Sequence, residues 1–266
     1  MPFPIMLTFD LDAESGSLAS DPANATRPGV LSMGQYGPKA AVPRILNMLA
    51  AESIPATFFV PGWVIDKYPA ALEAIIKAGH EIAHHGYTHQ PPATFASRAA
   101  EEAELIHGSE CIMRVTGAKP AGYRSPSWDF SPHTLPLLEQ HGFLYSSNLM
   151  DDDAAYLHTL DGRVTGLVEL PIQWMNDDWP FFGVRAGIQR PIQPASHPYE
   201  IWTEELQALY QEPGKLYVLT MHPQIIGRPS RVAMLKRFID FARGLGPVEF
   251  KRCRDVAADV RAGKPF

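Results

Sequence analysis

Short apolar runs alternate along this chain with longer stretches of helical periodicity. Residues 5–9, 56–60, 81–84, 143–146, 167–172, 216–221 and 248–250 are compact runs that predict strands, with a weaker one at 121–123. Between them, 40–51 carries Val42, Ile45, Leu46 and Leu49 at helical spacing, and 69–78 carries Leu72, Ile75 and Ile76. Residues 96–115, 132–141, 199–210 and 229–243 read as further helices. Gly79 and Gly142 stand where helices end, and Pro69, Pro132 and Pro229 near where they begin. Regular strand–helix alternation predicts crossover units and a mostly parallel sheet. Seven or eight such strands predict an α/β fold of the distorted (β/α)7–8 barrel type. Two segments break the rhythm, 13–38 and 173–198, both rich in Gly, Pro, Asp and Trp. They read as long binding or lid loops. No composition shift or internal repeat divides the chain, so 1–266 reads as a single domain.

Composition narrows the function. Of 266 residues, 23 are basic and 29 acidic, a net charge of −6. That balance offers no electrostatic footprint for nucleic acid or anionic lipid. No run reaches the ~18 apolar residues of a membrane span. The first ten residues lack the basic and apolar regions of a secretory signal, so a cytoplasmic location is expected, with Cys111 and Cys253 as reduced thiols. The 25 prolines are in excess, at roughly twice the usual ~5%. Pro61, Pro91, Pro92, Pro126, Pro171 and Pro223 fall just past predicted strands, where they would stiffen rim loops.

Active sites in such barrels form at the C-terminal ends of the strands. Asp10 and Asp12 follow the first predicted strand; His84, His85 and His89 the third; Arg124 the fourth; His222 the seventh. In extended backbone Asp10 and Asp12 point to one face, which is costly unless a cation or a shared proton separates them. Read alone, the same pair suits an Asx turn and a solvated carboxylate. His85 and His89 are spaced i, i+4 and face one way in a helical turn. With Asp12 they make a three-ligand set with an open position, the layout of a catalytic divalent-metal site. Arg124 offers a planar fork for a carboxylate, and His222 a group that trades protons near neutrality. His84 and His80 read as structural, as do His107, His133, His141, His158 and His197.

Together, Thr8-Phe9-Asp10-Leu11-Asp12, Ile54-Pro55-Ala56-Thr57-Phe58-Phe59, Gly79-His80-Glu81-Ile82 with His85-Gly86-Tyr87-Thr88-His89, Tyr123-Arg124-Ser125-Pro126 and His222-Pro223 resemble the motifs of the polysaccharide deacetylase superfamily, carbohydrate esterase family four. The resemblance spans almost the whole chain. It implies Asp10 as general base, Arg124 as the residue orienting it, His222 as general acid, and Asp12, His85 and His89 as ligands of one divalent ion. Zn2+ is the leading expectation, with Co2+, Ni2+ or Mn2+ also accommodated. Two departures stand out: Leu11 separates the aspartates, and the fourth motif has no clean match, though Trp174, Asp177, Asp178 and Trp179 lie in its region. Both features resemble the branch of intracellular peptidoglycan-deacetylase-like proteins, cofactor-free allantoinases and cyclic imide hydrolases, whose members are often homo-oligomers, so a dimer or tetramer is expected. The implied activity is metal-assisted hydrolysis of a non-peptide amide, removing N-acetyl groups from a sugar or peptidoglycan-type substrate. The alternatives are a hydrolase of small cyclic amides (a cyclic imide, allantoin or related ureide) and a non-catalytic sugar-binding barrel. Trp128, Trp174, Trp179, Arg228 and Arg231 are the expected contacts to a glycan or small-molecule substrate. Neither a nucleic-acid nor a membrane partner is expected.

Overall fold

The computed structural model describes residues 2–184 and 191–265, so 185–190, within the predicted 173–198 loop, lie outside the described residues. The sheet strands are β1 (Phe3–Asp10), β2 (Thr57–Val60), β3 (Glu81–His84), β4 (Gly122–Tyr123), β5 (Tyr145–Ser146), β6 (Tyr156–Leu160), β7 (Arg163–Glu169), β8 (Tyr217–Met221) and β9 (Val248–Phe250). They run in the order β6-β7-β5-β4-β3-β2-β1-β8, with β9 also paired to β1. Ile5 is partnered by both Tyr217 and Phe250, so β8 and β9 occupy opposite edges of β1. The sheet curls into a distorted barrel whose edge strands β6 and β8 do not pair with each other among the described residues.

Pleating of β1 organises the core. Ile5, Leu7, Phe9 and Leu11 face the surrounding helices, where they pack with Val42, Ile45, Leu219 and Phe238. Met6 faces the barrel interior with Phe59, Tyr145, Val168, Leu170 and Val218. Because both faces are buried, all eight residues of β1 are buried. The interior floor is closed by Val256 and Ala257 of the helix Cys253–Arg261. That helix is apolar at five of its nine positions, with Cys253, Val256, Ala257 and Val260 on one face, and was not predicted.

Two expectations, on segment 13–38 and on the His85–His89 turn, need correction. The mostly parallel sheet is as expected, and within it β6 and β7 form an antiparallel hairpin. Its turn is Asp161-Gly162, both at positive φ (50° and 74°), an Asp-Gly signal for a tight hairpin. Segment 13–38 is not an irregular loop. It folds into helices Ser15–Ser20 and Pro28–Tyr36 joined by the 3-10 turn Pro22–Thr26. Gly34 permits this, because a Cβ there would stand 2.2 Å from the Ala13 carbonyl oxygen. Finally, His85 and His89 do not share a helical turn: the segment after β3 is irregular, with Gly86 and His89 at positive φ (73° and 65°).

Candidate active site

The strand alternation that sends Leu11 outward sends Thr8, Asp10 and Asp12 inward. The Leu11 amide still donates to the Phe59 carbonyl at 2.9 Å, so the pleat continues past the end of β1 and aims both carboxylates at one space. Arg124, just beyond β4, lies fully buried behind Asp10. Its Nη1 donates to Asp10 Oδ1 at 2.8 Å and to Thr8 Oγ1 at 2.9 Å. Nη2 and Nε reach the hydroxyl and carbonyl of Ser147, and the guanidinium lies 4.1 Å over the Phe59 ring. Every edge of the cation is engaged, so Asp10 is held through Oδ1 with Oδ2 left facing the cavity.

His85 Nδ1 stands 2.7 Å from the Arg124 carbonyl oxygen. A carbonyl only accepts, so Nδ1 carries a proton, and Nε2 is the nitrogen that faces Asp12 and would meet a metal ion. Nε2 lies 3.5 Å from Asp12 Oδ1, and His89 Nε2 lies 3.3 Å from the same atom. The turn that brings His89 round is braced by Glu104, whose Oε1 accepts from the amides of Tyr87 (2.9 Å) and Thr88 (2.5 Å) and the Thr88 hydroxyl (2.6 Å). Asp12 Oδ1 is buried and has no hydrogen-bond partner. Burial would raise the Asp12 pKa, but the His89 and His85 imidazoles outweigh it and hold the carboxyl well below its usual range. A small divalent ion fits these residues. Donors on a tetrahedral ion at ~2.0–2.1 Å stand ~3.3 Å apart, close to the spacings found here, and the orphaned Asp12 oxygen gains the partner it lacks.

His222 follows β8 and is gripped by Asp178. Asp178 Oδ1 lies 2.7 Å from His222 Nδ1, and Oδ2 accepts from the His222 amide at 3.0 Å. Asp177 Oδ1 stands 3.6 Å from Nδ1, while Nε2 faces the cavity 3.8 Å from Asp12 Oδ2. Burial opposes charge on the imidazole, but Asp177 and Asp178 overcome it and raise His222 well above the ordinary histidine value. Burial, and then the charge of Asp178, push Asp177 up to about 8 despite His222. This makes His222 a cationic proton donor, with Nδ1–H held by Asp178 and Nε2–H facing the cavity.

All five of Asp10, Asp12, His85, His89 and His222 open on one cavity of about 750 Å3. Trp128, Trp174, Trp179, Arg228 and Arg231 line the same space. Trp128 and Trp174 stack at 4.1 Å, and Trp179 meets the His222 ring edge-on at 5.3 Å. Arg124 reaches the site only through Asp10. His84 points away, with Nε2 bonded to the Leu105 carbonyl at 3.0 Å and its pKa drawn down to about 3 by burial. His80 accepts from the Ala56 amide, and both cysteines are buried and free. Sequence reasoning gave no role to Asp178, Asp177 or Glu104. The Asp177-Asp178 doublet before Trp179-Pro180 was visible, but its partner lies 44 residues on and meets it only because Asp177 bridges to Thr220 of β8. Glu104 has no signal beyond its helical position.

The polysaccharide deacetylase family pattern matches residues 24–146. A peptidoglycan deacetylase of Helicobacter pylori is 28% identical over 281 residues, covering 96% of this chain and 95% of that protein. A crystal structure from Mycobacterium smegmatis, assigned as a polysaccharide deacetylase, is 40% identical with a TM-score of 0.92, covering 98% of this chain and 90% of that one. The Puue allantoinase structure is 26% identical with a TM-score of 0.82, covering 99% and 91%. With the fold matched end to end at this identity, the chain belongs to the polysaccharide deacetylase family.

Proposed function

We propose that this protein is a divalent-metal-dependent hydrolase that removes N-acetyl groups from a sugar or peptidoglycan-type substrate. The observation that carries the reading is the partnerless, buried Asp12 Oδ1 flanked by two imidazole Nε2 atoms at 3.3 and 3.5 Å. Asp12, His85 and His89 would hold the ion, Zn2+ first among Co2+, Ni2+ and Mn2+. Such an ion supplies Lewis-acid polarisation of the amide carbonyl and makes water a nucleophile near neutral pH. Asp10, anchored through Oδ1 by Arg124, takes the proton of the attacking water on Oδ2. His222 gives its Nε2 proton to the departing nitrogen, while Asp178 keeps Nδ1 protonated and the ring aimed at the cavity. Trp128, Trp174 and Trp179 offer apolar faces to the substrate.

The Helicobacter pylori relative, a peptidoglycan deacetylase by name, supports the N-acetyl substrate. A second reading, hydrolysis of a small cyclic amide, is favoured by the likeness to the Puue allantoinase. The complete set of acid, base and ligand side chains argues against a non-catalytic sugar-binding barrel. A panel of metal-loaded protein against chitooligosaccharides, peptidoglycan fragments, succinimide, hydantoin and allantoin separates these readings. Acetate release supports the first, ring opening the second, and silence throughout with no bound metal sinks both. Among the described residues no helix is long and apolar enough to cross a membrane. The two free cysteines fit the reducing cytoplasm we propose as its location. Exposed Trp174, Val184 and Ile192 are candidates for the contacts of a homo-oligomer, which light scattering would reveal.

A further inference from the structure

Two guanidinium groups on the cavity wall have no assigned role in the hydrolysis. Arg228 lies 3.6 Å over the Tyr36 ring. That ring is itself fixed, since its hydroxyl accepts from Arg44 at 2.6 Å and donates to the Gly227 carbonyl at 3.3 Å. Arg231 lies 4.1 Å over the Phe182 ring and spends one N–H on the Ile225 carbonyl at 3.0 Å. Both face the cavity that holds Asp12 and His222. Neither makes an ion pair with a carboxylate among the described residues. The acid nearest in charge to Arg231 is Asp178, whose two oxygens are committed to His222. Asp10 is likewise committed to Arg124.

Arg228 is exposed and Arg231 half-buried, and what sets them apart is that both line the cavity beside Asp12 and His222. Here stacking on an aromatic face fixes each plane and leaves its N–H edge open. Two like charges three residues apart repel, and a shared anion between them relieves that repulsion. The planar fork matches a carboxylate in two-bond geometry.

We propose that Arg228 and Arg231 form a subsite for a carboxylate carried by the substrate, so that the enzyme selects anionic amides over neutral ones. The proposal rests on the hydrolase reading above and names its substrate class. The test uses two sugars that share the N-acetyl group and differ by one carboxylate, N-acetylmuramic acid and N-acetylglucosamine. Their affinities for the metal-loaded Asp10→Asn protein are measured by calorimetry, so that turnover does not interfere. The expected result is about tenfold or more tighter binding of N-acetylmuramic acid, a preference that shrinks as salt is added. Substituting Arg228→Gln and Arg231→Gln together should erase the preference. A circular dichroism spectrum and melting temperature matching those of the parent would show that the double variant is folded. If it does not fold, Arg228→Lys with Arg231→Lys keeps the charge, loses the fork, and should weaken the preference severalfold.

Equal affinity for the two sugars, no measurable affinity for either, or a preference that survives the substitutions overturns the subsite. Acetate release by the unsubstituted enzyme from both sugars at equal efficiency removes the subsite and leaves the hydrolase reading standing. Charge-selective binding, with no amide hydrolysed by the unsubstituted enzyme, keeps the subsite and removes that reading.

Discussion

Replacing Glu104 by alanine tests whether the proposed metal site is built from its second layer as well as from its ligands. Glu104 touches none of the three candidate ligands. Its Oε1 instead accepts three hydrogen bonds, from the amides of Tyr87 and Thr88 and the Thr88 hydroxyl. Those bonds hold the turn in which His89 sits at φ 65°, a conformation that costs a non-glycine residue ~1–3 kcal/mol. Hydrogen bonds to a charged acceptor contribute ~1.5–3 kcal/mol each. Glu104 is only half-buried, so water recovers much of that when the carboxylate is removed. A net loss of ~1.5–3 kcal/mol in ordering the turn is a fair expectation. At ~1.4 kcal/mol per factor of ten, this corresponds to metal affinity weakened ~10- to 100-fold. Glu104→Gln, which retains an acceptor without the charge, should cost ~3- to 10-fold. The measurement is competition of each variant with a chromophoric chelator for Zn2+, with circular dichroism as the check on folding. If folded Glu104→Ala binds zinc within twofold of the parent, the turn needs no brace and this account of the site is wrong.

Three further outcomes follow from the geometry. Asp12→Ala and His85→Ala should each abolish stoichiometric metal by elemental analysis and activity with it, whereas Asp10→Asn should keep the metal and lose ~100- to 10,000-fold in turnover. Arg124→Ala leaves the Asp10 carboxylate buried without its cation, and should destabilise the metal-free protein by ~3–5 kcal/mol in a urea melt. Asp177, raised to about 8 in the folded protein from 3.8, binds a proton more readily folded than unfolded. Its contribution is therefore fully present below the unfolded value and lost as pH rises through the folded one. Asp177→Asn should accordingly raise the melting temperature of metal-free protein more at pH 8 than at pH 5; an equal or opposite shift would contradict the buried placement of this carboxyl.

The barrel was legible because its chemistry sits in phase with its strands. In β1 the only inward polar side chains are Thr8 and Asp10, and Asp12 continues their series, so three residues betray the inner face of an otherwise apolar run. The longer helices whose apolar positions recur every turn were equally legible. Most of what escaped notice lacked a local signal; the exception is the short helix Cys253–Arg261, whose Cys253, Val256, Ala257 and Val260 do recur on one face. Strand β6 is only half-buried and short, and its evidence was the Asp161-Gly162 turn rather than its own periodicity. The helix Pro28–Tyr36 contains two glycines and a proline and has little intrinsic tendency to form. It forms because Gly34 allows a backbone approach to Ala13, a contact across twenty-one positions that no short window contains.

The same distinction runs through the site. Asp10, Asp12, His85 and His89 are close in sequence to a partner on the same strand end or turn, so spacing could suggest their convergence. The mechanism that spacing suggested for the histidines was nevertheless wrong. Helical geometry would align i and i+4, but Gly86 and His89 at positive φ produce the convergence by reversing the chain. The outcome depends on Glu104, which enters from the next α-helix, Arg98–Thr116, and satisfies the amides that such a reversal leaves bare. Asp178 acts on His222 in a similar way, from 44 residues away, and together with Asp177 raises the pKa of the imidazole. The atoms proposed to meet substrate or metal could thus be read from local pattern, while those that set their orientation and charge come from elements the topology brings together. A sequence that kept the first group and lost Glu104 and Asp178 would still match the pattern and should be a poor enzyme.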